Sequence, residues 1–349
     1  MAGRAWQERV AGGVLRAAVG LPGPVRRLVA GRPVSVDGQE LDPELQVALR
    51  LMGLAPEAKD KTLRQRRAEL DQQARIFGGT PLPVDTIKPV FIPGAAGKIA
   101  ARLYRPAGYK TLLVYYHGGG FVVGGLDSTD SLCRFLAVHS DTAVLSIDYR
   151  LAPEAPFPAA VDDAVTAFHY AVSHAAELGV DPAAIGVGGD SAGGNLAAVV
   201  SQLTTAQGGT APAFQLLFYP WLDLSTKHPS YKLFGEGFLL TEEQLDWYTA
   251  HYLRDPSEST NPRVSPLLAA DLQGQPPTYI AVAGFDPLRD EGERYAERLR
   301  EAGVPVTLRR HSGLIHAFAS GTGVGAACRD AMLEAAAALR TLKTSDTAQ

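Results

Sequence analysis

The sequence predicts an α/β fold built on a doubly wound, mostly parallel sheet, and two observations lead to that expectation. Short apolar runs rich in β-branched and aromatic residues recur along the chain from residue 111 onwards. Alanine-rich segments with helical spacing separate these runs. Continuous apolar runs of this length suit parallel strands that are buried on both faces, and their alternation with helices favours βαβ units.

The elements follow in order along the chain. Residues 1–83 are expected to form helices and loops, because their apolar residues have helical spacing and show no strand-like alternation. Ile87–Ile92 and Ile99–Tyr104 are expected to pair as strands through a turn at Pro93–Gly97. Further strands are predicted at Thr111–Tyr116, Thr142–Asp148, Ile185–Gly189, Phe214–Tyr219, Thr278–Ala283 and Val306–Arg310. Helices are predicted at Ala159–Leu178, Ala192–Ala206, Glu291–Ala302 and Ala326–Leu342.

One connection is too long for a plain crossover between strands. About 60 residues separate Tyr219 from Thr278, and they include several aromatic side chains. An excursion of this length near the ligand edge of a sheet usually builds a lid, and we expect one here.

Composition excludes several classes of protein. Of the 349 residues 46% are apolar and 20% are charged, which excludes disordered, collagenous and coiled-coil chains. The 33 basic and 37 acidic residues give a net charge of −4, a balance that argues against nucleic acid as the main partner. Cys133 and Cys328 are too few for a disulfide framework and lie in no zinc-binding pattern, so we expect no metal. A reducing, cytoplasmic location is the simpler expectation.

The amino-terminal segment has the features of neither a signal peptide nor a spanning helix, because Arg16 interrupts the apolar stretch Val10–Val19. Trp6, Val10 and Val14 recur at helical spacing among arginines, so a membrane-surface helix is one interpretation. A helical flap that lies on the body of the protein is favoured over it, since an apolar stripe commonly faces a core. No stable membrane anchoring is expected.

The segment Gly189-Asp190-Ser191-Ala192-Gly193 places a serine between a predicted strand and a predicted helix. This Gly-x-Ser-x-Gly pattern in that context is typical of a nucleophile elbow. Side chains in place of the two glycines would clash within so tight a turn, and the helix amides point to where negative charge would form. The pentapeptide alone also arises by chance, so the flanking elements carry the interpretation.

A second motif, His117-Gly118-Gly119-Gly120, directly follows a predicted strand. Three successive glycines leave backbone N–H groups uncovered, so these groups can reach a substrate oxygen as an oxyanion-hole loop does. A phosphate-binding loop is excluded because no Lys-Ser/Thr follows. A dinucleotide-binding pattern is excluded because no third glycine lies at the required offset.

A serine nucleophile needs a base and an orienting carboxylate, expected in the chain order serine, acid, histidine. Asp286 and His316 both fall just beyond predicted strand ends, where the ligand sites of open α/β sheets gather. His316 is favoured over His311, which precedes the loop that must carry the imidazole towards Ser191. Asp286 is favoured over Asp290, which lies one helical turn later.

Taken together, five motifs resemble those of the hormone-sensitive-lipase-like family of carboxylesterases. They are His117–Gly120, Asp148–Glu154, Gly189–Asn195, Asp286–Asp290 and His316–Phe318. The resemblance implies an α/β-hydrolase fold with a helical cap, hydrolysis of small carboxylic esters with short to medium acyl chains, and no cofactor. It places a cap segment at residues 1–84 and a catalytic domain at residues 85–349, with a cap insertion near residues 221–262.

Carried over position by position, the resemblance makes Ser191 the nucleophile, His316 the base and Asp286 its orienter. The implied oxyanion donors are Gly118, Gly119 and Ala192, and whether Gly120 joins or replaces one of them stays open. An apolar acyl pocket is expected, with core packing as the alternative for each candidate residue. The candidates are Phe121, Trp221, Phe234, Phe238 and Leu239. The segment Tyr149–Glu154 is expected to be a loop held by Pro153 and a buried ion pair.

Two other functions are compatible with the same motifs. An amidase or deacetylase would use the same triad, and no feature of the sequence separates it from an esterase. A ligand receptor that has lost turnover is disfavoured, because such members of the family lack the histidine that this chain has at His316. A homodimer formed through the edge strand Val306–Arg310 is a further hypothesis.

Overall fold

An eight-stranded sheet organises the part of the chain that the computed structural model describes, residues 12–53 and 61–342. The strands are β1 (Ser35–Val36), β2 (Gln39–Glu40), β3 (Thr86–Gly94), β4 (Gly97–Arg105), β5 (Leu112–Tyr116), β6 (Ala143–Asp148), β7 (Ile185–Asp190), β8 (Gln215–Phe218), β9 (Thr278–Phe285) and β10 (Val306–Ile315). Strands β1 and β2 form a separate hairpin, and the others lie in the order β10-β9-β8-β7-β5-β6-β4-β3. Within the eight-stranded sheet only the two pairings of β4 are antiparallel, which confirms the predicted mostly parallel sheet.

Helices surround this sheet. They are α1 (residues 12–19), α2 (Gly23–Ala30), α3 (Pro43–Gly53), α4 (Leu63–Phe77), α5 (Asp130–Ser140), α6 (Ala159–Ser173), α7 (Ala175–Leu178), α8 (Ala192–Ala206), α9 (Pro229–Phe234), α10 (Glu242–Tyr252), α11 (Arg289–Glu301) and α12 (Ala326–Leu342). Short 3₁₀ helices lie at Pro182–Ala184, Pro256–Thr260, Pro266–Leu268 and Phe318–Ser320. Within the described ranges no helix combines the length and apolar character needed to cross a bilayer.

The two faces of the sheet carry separate hydrophobic cores. On the central strand β5, Leu112, Val114 and Tyr116 pack with residues of α6, α8 and α11. The alternate residues Leu113 and Tyr115 pack with residues of α5 and α12. All five side chains are fully buried. The sheet is therefore covered on both sides, which is the physical reason for the continuous apolar runs in its parallel strands.

The structure also contains elements that the sequence reasoning missed. The expectation that residues 1–83 hold no strand is wrong, because β1 and β2 form a hairpin there. Asp37 and Gly38 make its turn with φ values of 55° and 71°. Strands of two residues are too short to show an alternating pattern. Helix α5 was not predicted, and β10 runs past the predicted end at Arg310, so His311 lies inside this strand.

The loop after β6 is held by an ion pair, as expected, but only its carboxylate is buried. Asp163 on α6 is 2% exposed, and its carboxylate accepts hydrogen bonds from the backbone N–H and the guanidinium of Arg150. Arg67 on α4 reaches the same loop, where it donates to the carbonyl of Ala152 and pairs with Glu154. These contacts fasten an amino-terminal helix to the body of the protein.

Helices α4 and α10 begin with the same capping motif. Thr62 caps α4 and Thr241 caps α10, and each hydroxyl accepts from the backbone N–H three residues later. The side chains of Gln65 and Gln244 return the interaction by accepting from the cap residue's own N–H. A Thr-x-x-Gln capping box therefore fixes where both helices begin.

Candidate active site

Ser191 joins β7 to α8 in a backbone conformation that L-residues rarely adopt. Its φ and ψ are 55° and −119°. Such a conformation costs about 1–3 kcal/mol and persists only where the surroundings impose it. Here the Ser191 N–H donates to the Phe218 carbonyl at 2.9 Å, and the Ser191 carbonyl accepts from the Trp221 N–H at 3.1 Å. The turn is thus bonded on both sides to the end of β8.

The glycine at position 193 is required by the closeness of the turn to β5. A Cβ atom there would lie 1.9 Å from the carbonyl oxygen of Tyr116. No adjustment of a side chain relieves a clash with backbone, so a larger residue would force α8 away from the sheet. The sequence motif is in this way a packing constraint that places Ser191 at the carboxyl edge of the sheet.

Three side chains that are distant in sequence meet at this edge. Nε2 of His316 lies 3.1 Å from Oγ of Ser191, and its Nδ1 lies 2.8 Å from Oδ2 of Asp286. Asp286 is fully buried, while Ser191 and His316 are 8% and 7% exposed. The second oxygen of Asp286 accepts from the Leu288 N–H at 2.9 Å, which orients the carboxylate. The arrangement can transfer a proton from the hydroxyl to the imidazole.

The rival residues lie elsewhere. Asp290 accepts from the Ser230 N–H and from the Arg289 guanidinium, so its carboxylate is occupied away from His316. His311 packs edge-on against Phe318, with ring centroids 5.2 Å apart. The structure brings together the three residues that the sequence reasoning preferred.

The glycine loop after β5 differs from expectation at one position. The Gly118 N–H donates to Oδ1 of Asp190 at 3.0 Å, so it is not available to an oxyanion. The prediction of Gly118 as a donor is therefore corrected. The N–H groups of Gly119, Gly120 and Ala192 donate to no acceptor among the described residues. Gly119 and Gly120 line the same cavity as Ser191, and Ala192 directly follows Ser191 in the chain.

Gly119 has a structural reason of its own to be glycine. Its φ is 116°, and a Cβ atom would lie 2.1 Å from the Val123 carbonyl. The Gly119 carbonyl accepts from the N–H groups of Val122 and Val123 at 3.1 and 2.9 Å. These two hydrogen bonds hold the peptide group that follows Gly119 in one orientation.

His117 braces this loop and does not act as a base. Burial lowers the pKa of His117 to about 4, so the ring is neutral near pH 7. Nδ1 lies 2.7 Å from the Gly118 carbonyl, which can only accept, so this nitrogen carries the proton. The ring stacks on Tyr149 at 4.2 Å, and the Tyr149 hydroxyl donates to the His117 carbonyl.

Asp190 links the loop to the elbow, a role that the sequence reasoning did not assign. Its Oδ1 accepts from the Tyr115 hydroxyl at 2.7 Å and from the Gly118 N–H. Burial raises the pKa of Asp190, while both hydrogen bonds oppose that shift. The residue before the nucleophile thereby fixes the position of the glycine loop.

Glu291 is a second buried carboxyl group that the sequence reasoning missed. It is fully buried in α11, and its Oε1 accepts from the Leu222 N–H at 2.5 Å and the Asp223 N–H at 3.4 Å. Asn195 on α8 donates to the carbonyl of Trp221, the residue before Leu222, at 2.7 Å. Glu291 and Asn195 together hold the segment that follows β8, in which the Trp221 N–H donates to the Ser191 carbonyl. A lone Glu in a helix carries no sequence signal for such a role.

A largely apolar cavity of about 240 Å³ opens over Ser191 and His316. Helix α3 contributes Leu45, Ala48, Leu49 and Met52; helix α4 contributes Leu70, Gln73, Ala74 and Phe77; the excursion contributes Trp221, Leu239, Leu240, Gln244, Leu245 and Tyr248. The amino-terminal helices and the excursion thus both contribute to its walls, together with the glycine loop and the segment that contains His316.

Only two of the five expected pocket residues, Trp221 and Leu239, line this cavity. Phe121 stacks instead on Tyr252, with ring centroids 3.9 Å apart. Phe234 and Phe238 pack on each other and on Phe285. These three phenylalanines therefore pack against other aromatic side chains of the protein, as the alternative of core packing predicts.

The chain is similar to known proteins over most of its length. A family model described as "alpha/beta hydrolase fold" matches residues 113–320. Carboxylic ester hydrolase LipN of Mycobacterium tuberculosis is 48% identical over 331 residues, which cover 90% of this chain and 88% of that protein. The ethyl acetate hydrolase of Pseudomonas putida is 37% identical over 80% of this chain and 92% of its own.

Solved structures give a similar result. An ester hydrolase from the metagenome of Lake Arreo, complexed with a derivative of bipyridine phosphonate, is 42% identical with a TM-score of 0.83. A hyperthermophilic esterase from the archeon Pyrobaculum calidifontis is 36% identical, also with a TM-score of 0.83. Each alignment covers 86% of this chain and 98% of the other.

The burial of Glu291 generates a prediction about stability and pH. Burial raises the pKa of Glu291 well above its usual value of 4.5, so the folded protein keeps a proton that the unfolded chain releases above that pH. This contribution to the wild type's free energy of unfolding is complete below the unfolded pKa and is lost as the pH rises towards the folded pKa. Because glutamine stays neutral, Glu291→Gln should gain stability relative to the wild type with rising pH. Urea unfolding across this range measures it.

Glu291→Ala is the matched comparison for this experiment. It leaves the N–H groups of Leu222 and Asp223 without their acceptor, so it should be about 1–3 kcal/mol less stable than Glu291→Gln at every pH. Parallel pH profiles for the wild type and Glu291→Gln would contradict the assignment.

Proposed function

The chain belongs to the α/β hydrolase fold family of carboxylic ester hydrolases, and we propose that it cleaves its esters through an acyl-enzyme formed on Ser191. The protein is a carboxylic ester hydrolase. The observation that carries the proposed residue roles is the continuous hydrogen-bonded series Asp286, His316, Ser191, with separations of 2.8 and 3.1 Å.

In the first half of the reaction the imidazole acts as a base. Nε2 of His316 takes the proton of Ser191 Oγ as this oxygen attacks the ester carbonyl carbon. The Asp286 carboxylate accepts from Nδ1–H and stabilises the imidazolium that forms. The resulting tetrahedral intermediate expels the alcohol, which receives the proton from His316 and leaves the acyl group bonded to Ser191.

The second half repeats these steps with water. His316 removes a proton from a water molecule, whose oxygen attacks the acyl carbon. The second tetrahedral intermediate releases the carboxylic acid, and Ser191 Oγ regains its proton from His316. Neither half-reaction consumes anything but the ester and one water.

We assign the oxyanion donors to the N–H groups of Gly119, Gly120 and Ala192. The lack of an acceptor for these groups among the described residues supports the assignment. Ala192 is the first residue of α8, so the helix dipole adds partial positive charge there. Donors held in this way before substrate binds need no reorganisation in the transition state.

For the substrate we propose small esters with short to medium acyl chains, held under a helical cap. The apolar cavity of about 240 Å³ supports this choice. We propose that residues 1–84 and the insertion near residues 221–262 form the cap over the catalytic domain, residues 85–349. The lining of the cavity by α3, α4 and α10 supports that division. We also propose a cytoplasmic location, supported by the free, buried thiols of Cys133 and Cys328.

Removal of the nucleophile tests the proposal directly. Ser191→Ala should lower kcat on an aryl ester by about 10⁶-fold, and Asp286→Asn by about 10⁴-fold. The exposed Ser257→Ala is the matched control and should keep full activity. Ester hydrolysis above a few per cent in Ser191→Ala, with its fold intact by circular dichroism, would contradict the role of Ser191.

The size of the cavity generates a second prediction. In a series of aryl esters from acetate to palmitate, kcat/KM should peak at a short to medium chain and fall for palmitate. Ala74→Leu, on a wall of the cavity, should move the peak to shorter chains. Ala337→Leu on the exposed side of α12 should leave the peak in place. A flat series, or a profile unchanged by Ala74→Leu, would contradict the proposed pocket.

We further propose that two copies pair through β10. This strand lies at one end of the sheet, and an edge strand presents unpaired backbone groups. Multi-angle light scattering should then give twice the mass of the chain. A monomeric mass at every concentration would overturn this proposal and leave the enzymatic one untouched.

A further inference from the structure

Helix α2 presents an apolar face to solvent. Val25, Leu28 and Val29 are 45%, 82% and 36% exposed, and their i, i+3, i+4 spacing places them on one side of the helix. The opposite side faces the protein through Ala30, which is buried. Val14 on α1 is also exposed, at 57%. A three-residue apolar stripe on so short a helix normally covers a core, and here it points away from one.

The protein body holds this face outward. Leu15 and Val19 of α1 and Ala30 of α2 are buried in one cluster with residues of α3. The Arg26 guanidinium donates to the Val19 carbonyl at 3.1 Å and to Glu44 of α3 at 2.6 Å. The exposed stripe is therefore the outer surface of a packed pair of helices.

The charge of this segment is opposite to that of the rest of the protein. Residues 12–32, which include α1 and α2, contain four arginines and no acidic residue, a net charge of +4. The remaining chain contains 29 basic and 37 acidic residues, a net charge of −8. Arg16, Arg27 and Arg32 are exposed and pair with no carboxylate in the described part of the chain.

From these observations we propose that the α1–α2 face docks reversibly on an anionic lipid bilayer. The stripe of Val25, Leu28 and Val29 enters the boundary between headgroups and acyl chains, and the arginines lie against lipid phosphates. The negative charge of the remaining surface keeps the body turned away from the same bilayer. This is membrane-surface binding without a spanning helix, and it goes beyond the proposed function.

A second copy of the chain is a poorer occupant for this face. In a symmetric pair the same patch meets itself, so two segments with a net charge of +4 would be brought together. A bilayer that contains anionic lipid complements both the apolar stripe and the charge.

The docked orientation also brings the surface close to the reaction site. Ala48 of α3 packs in the cluster with Leu15, Val19 and Ala30, and it lines the cavity over Ser191. The bilayer would thus be separated from the cavity by little more than this layer of helices. Esters that partition into lipid would be concentrated next to the enzyme.

Vesicle co-sedimentation of the full-length protein tests the proposal. The protein should bind vesicles of phosphatidylcholine mixed with phosphatidylglycerol, should bind pure phosphatidylcholine far more weakly, and should be released by high salt. Val25→Ser/Leu28→Ser should weaken binding at least about tenfold, and Arg27→Glu by about tenfold. The matched controls are Phe91→Ser on β3 and Arg294→Glu on α11, whose side chains are 60% and 51% exposed. Both controls should bind like the wild type.

Three results would overturn the proposal. The first is equal binding to both kinds of vesicle, or none; the second is binding that Val25→Ser/Leu28→Ser leaves unchanged. The third is a change in the light-scattering mass of that variant, which would assign the face to a second copy of the chain. Ser191→Ala should bind vesicles like the wild type, and all docking variants should keep wild-type rates on a soluble aryl ester. Docking and catalysis can therefore fail independently.

Discussion

The strained backbone at Ser191 is the constraint on which the rest of the site depends. A φ of 55° turns the hydroxyl towards the cavity at the edge of the sheet and starts α8 directly behind it. The conformation is imposed by close packing against β5, where Gly193 admits no side chain, and by hydrogen bonds to Phe218 and Trp221 at the end of β8. Because β5 also leads into the glycine loop, one turn fixes nucleophile and oxyanion donors together.

Two buried carboxyl groups extend this constraint outward. Asp190 ties the glycine loop to the elbow through Gly118, and Glu291 ties the segment around Trp221 to α11. Neither group is placed to react with substrate. Each provides acceptors for backbone N–H groups that would otherwise be buried without partners, which is costly in a core. The reactive residues are thus held by a polar framework beneath them, while the cavity above is apolar.

Much of this could be predicted from sequence, for physical reasons that differ between elements. Continuous apolar runs predict the buried strands. The positions of the elbow, Asp286 and His316 directly after such runs predict the three catalytic residues. The donor role of Gly118 could not be judged, because the direction of its N–H depends on the buried Asp190. Phe121, Phe234 and Phe238 are as apolar as true pocket residues, and only the fold separates wall from core. The hairpin at β1 and β2 is too short to leave a pattern.

The central claim is that His316 activates Ser191 in the geometry that the elbow creates. The most direct measurement is covalent labelling with an aryl phosphonate, followed by intact-mass and peptide mass spectrometry. We expect one phosphonyl group per chain, located on Ser191, with loss of the aryl leaving group and a labelling rate that falls by orders of magnitude in His316→Ala. An adduct on any other residue, or a rate that is the same without the imidazole, would contradict the account.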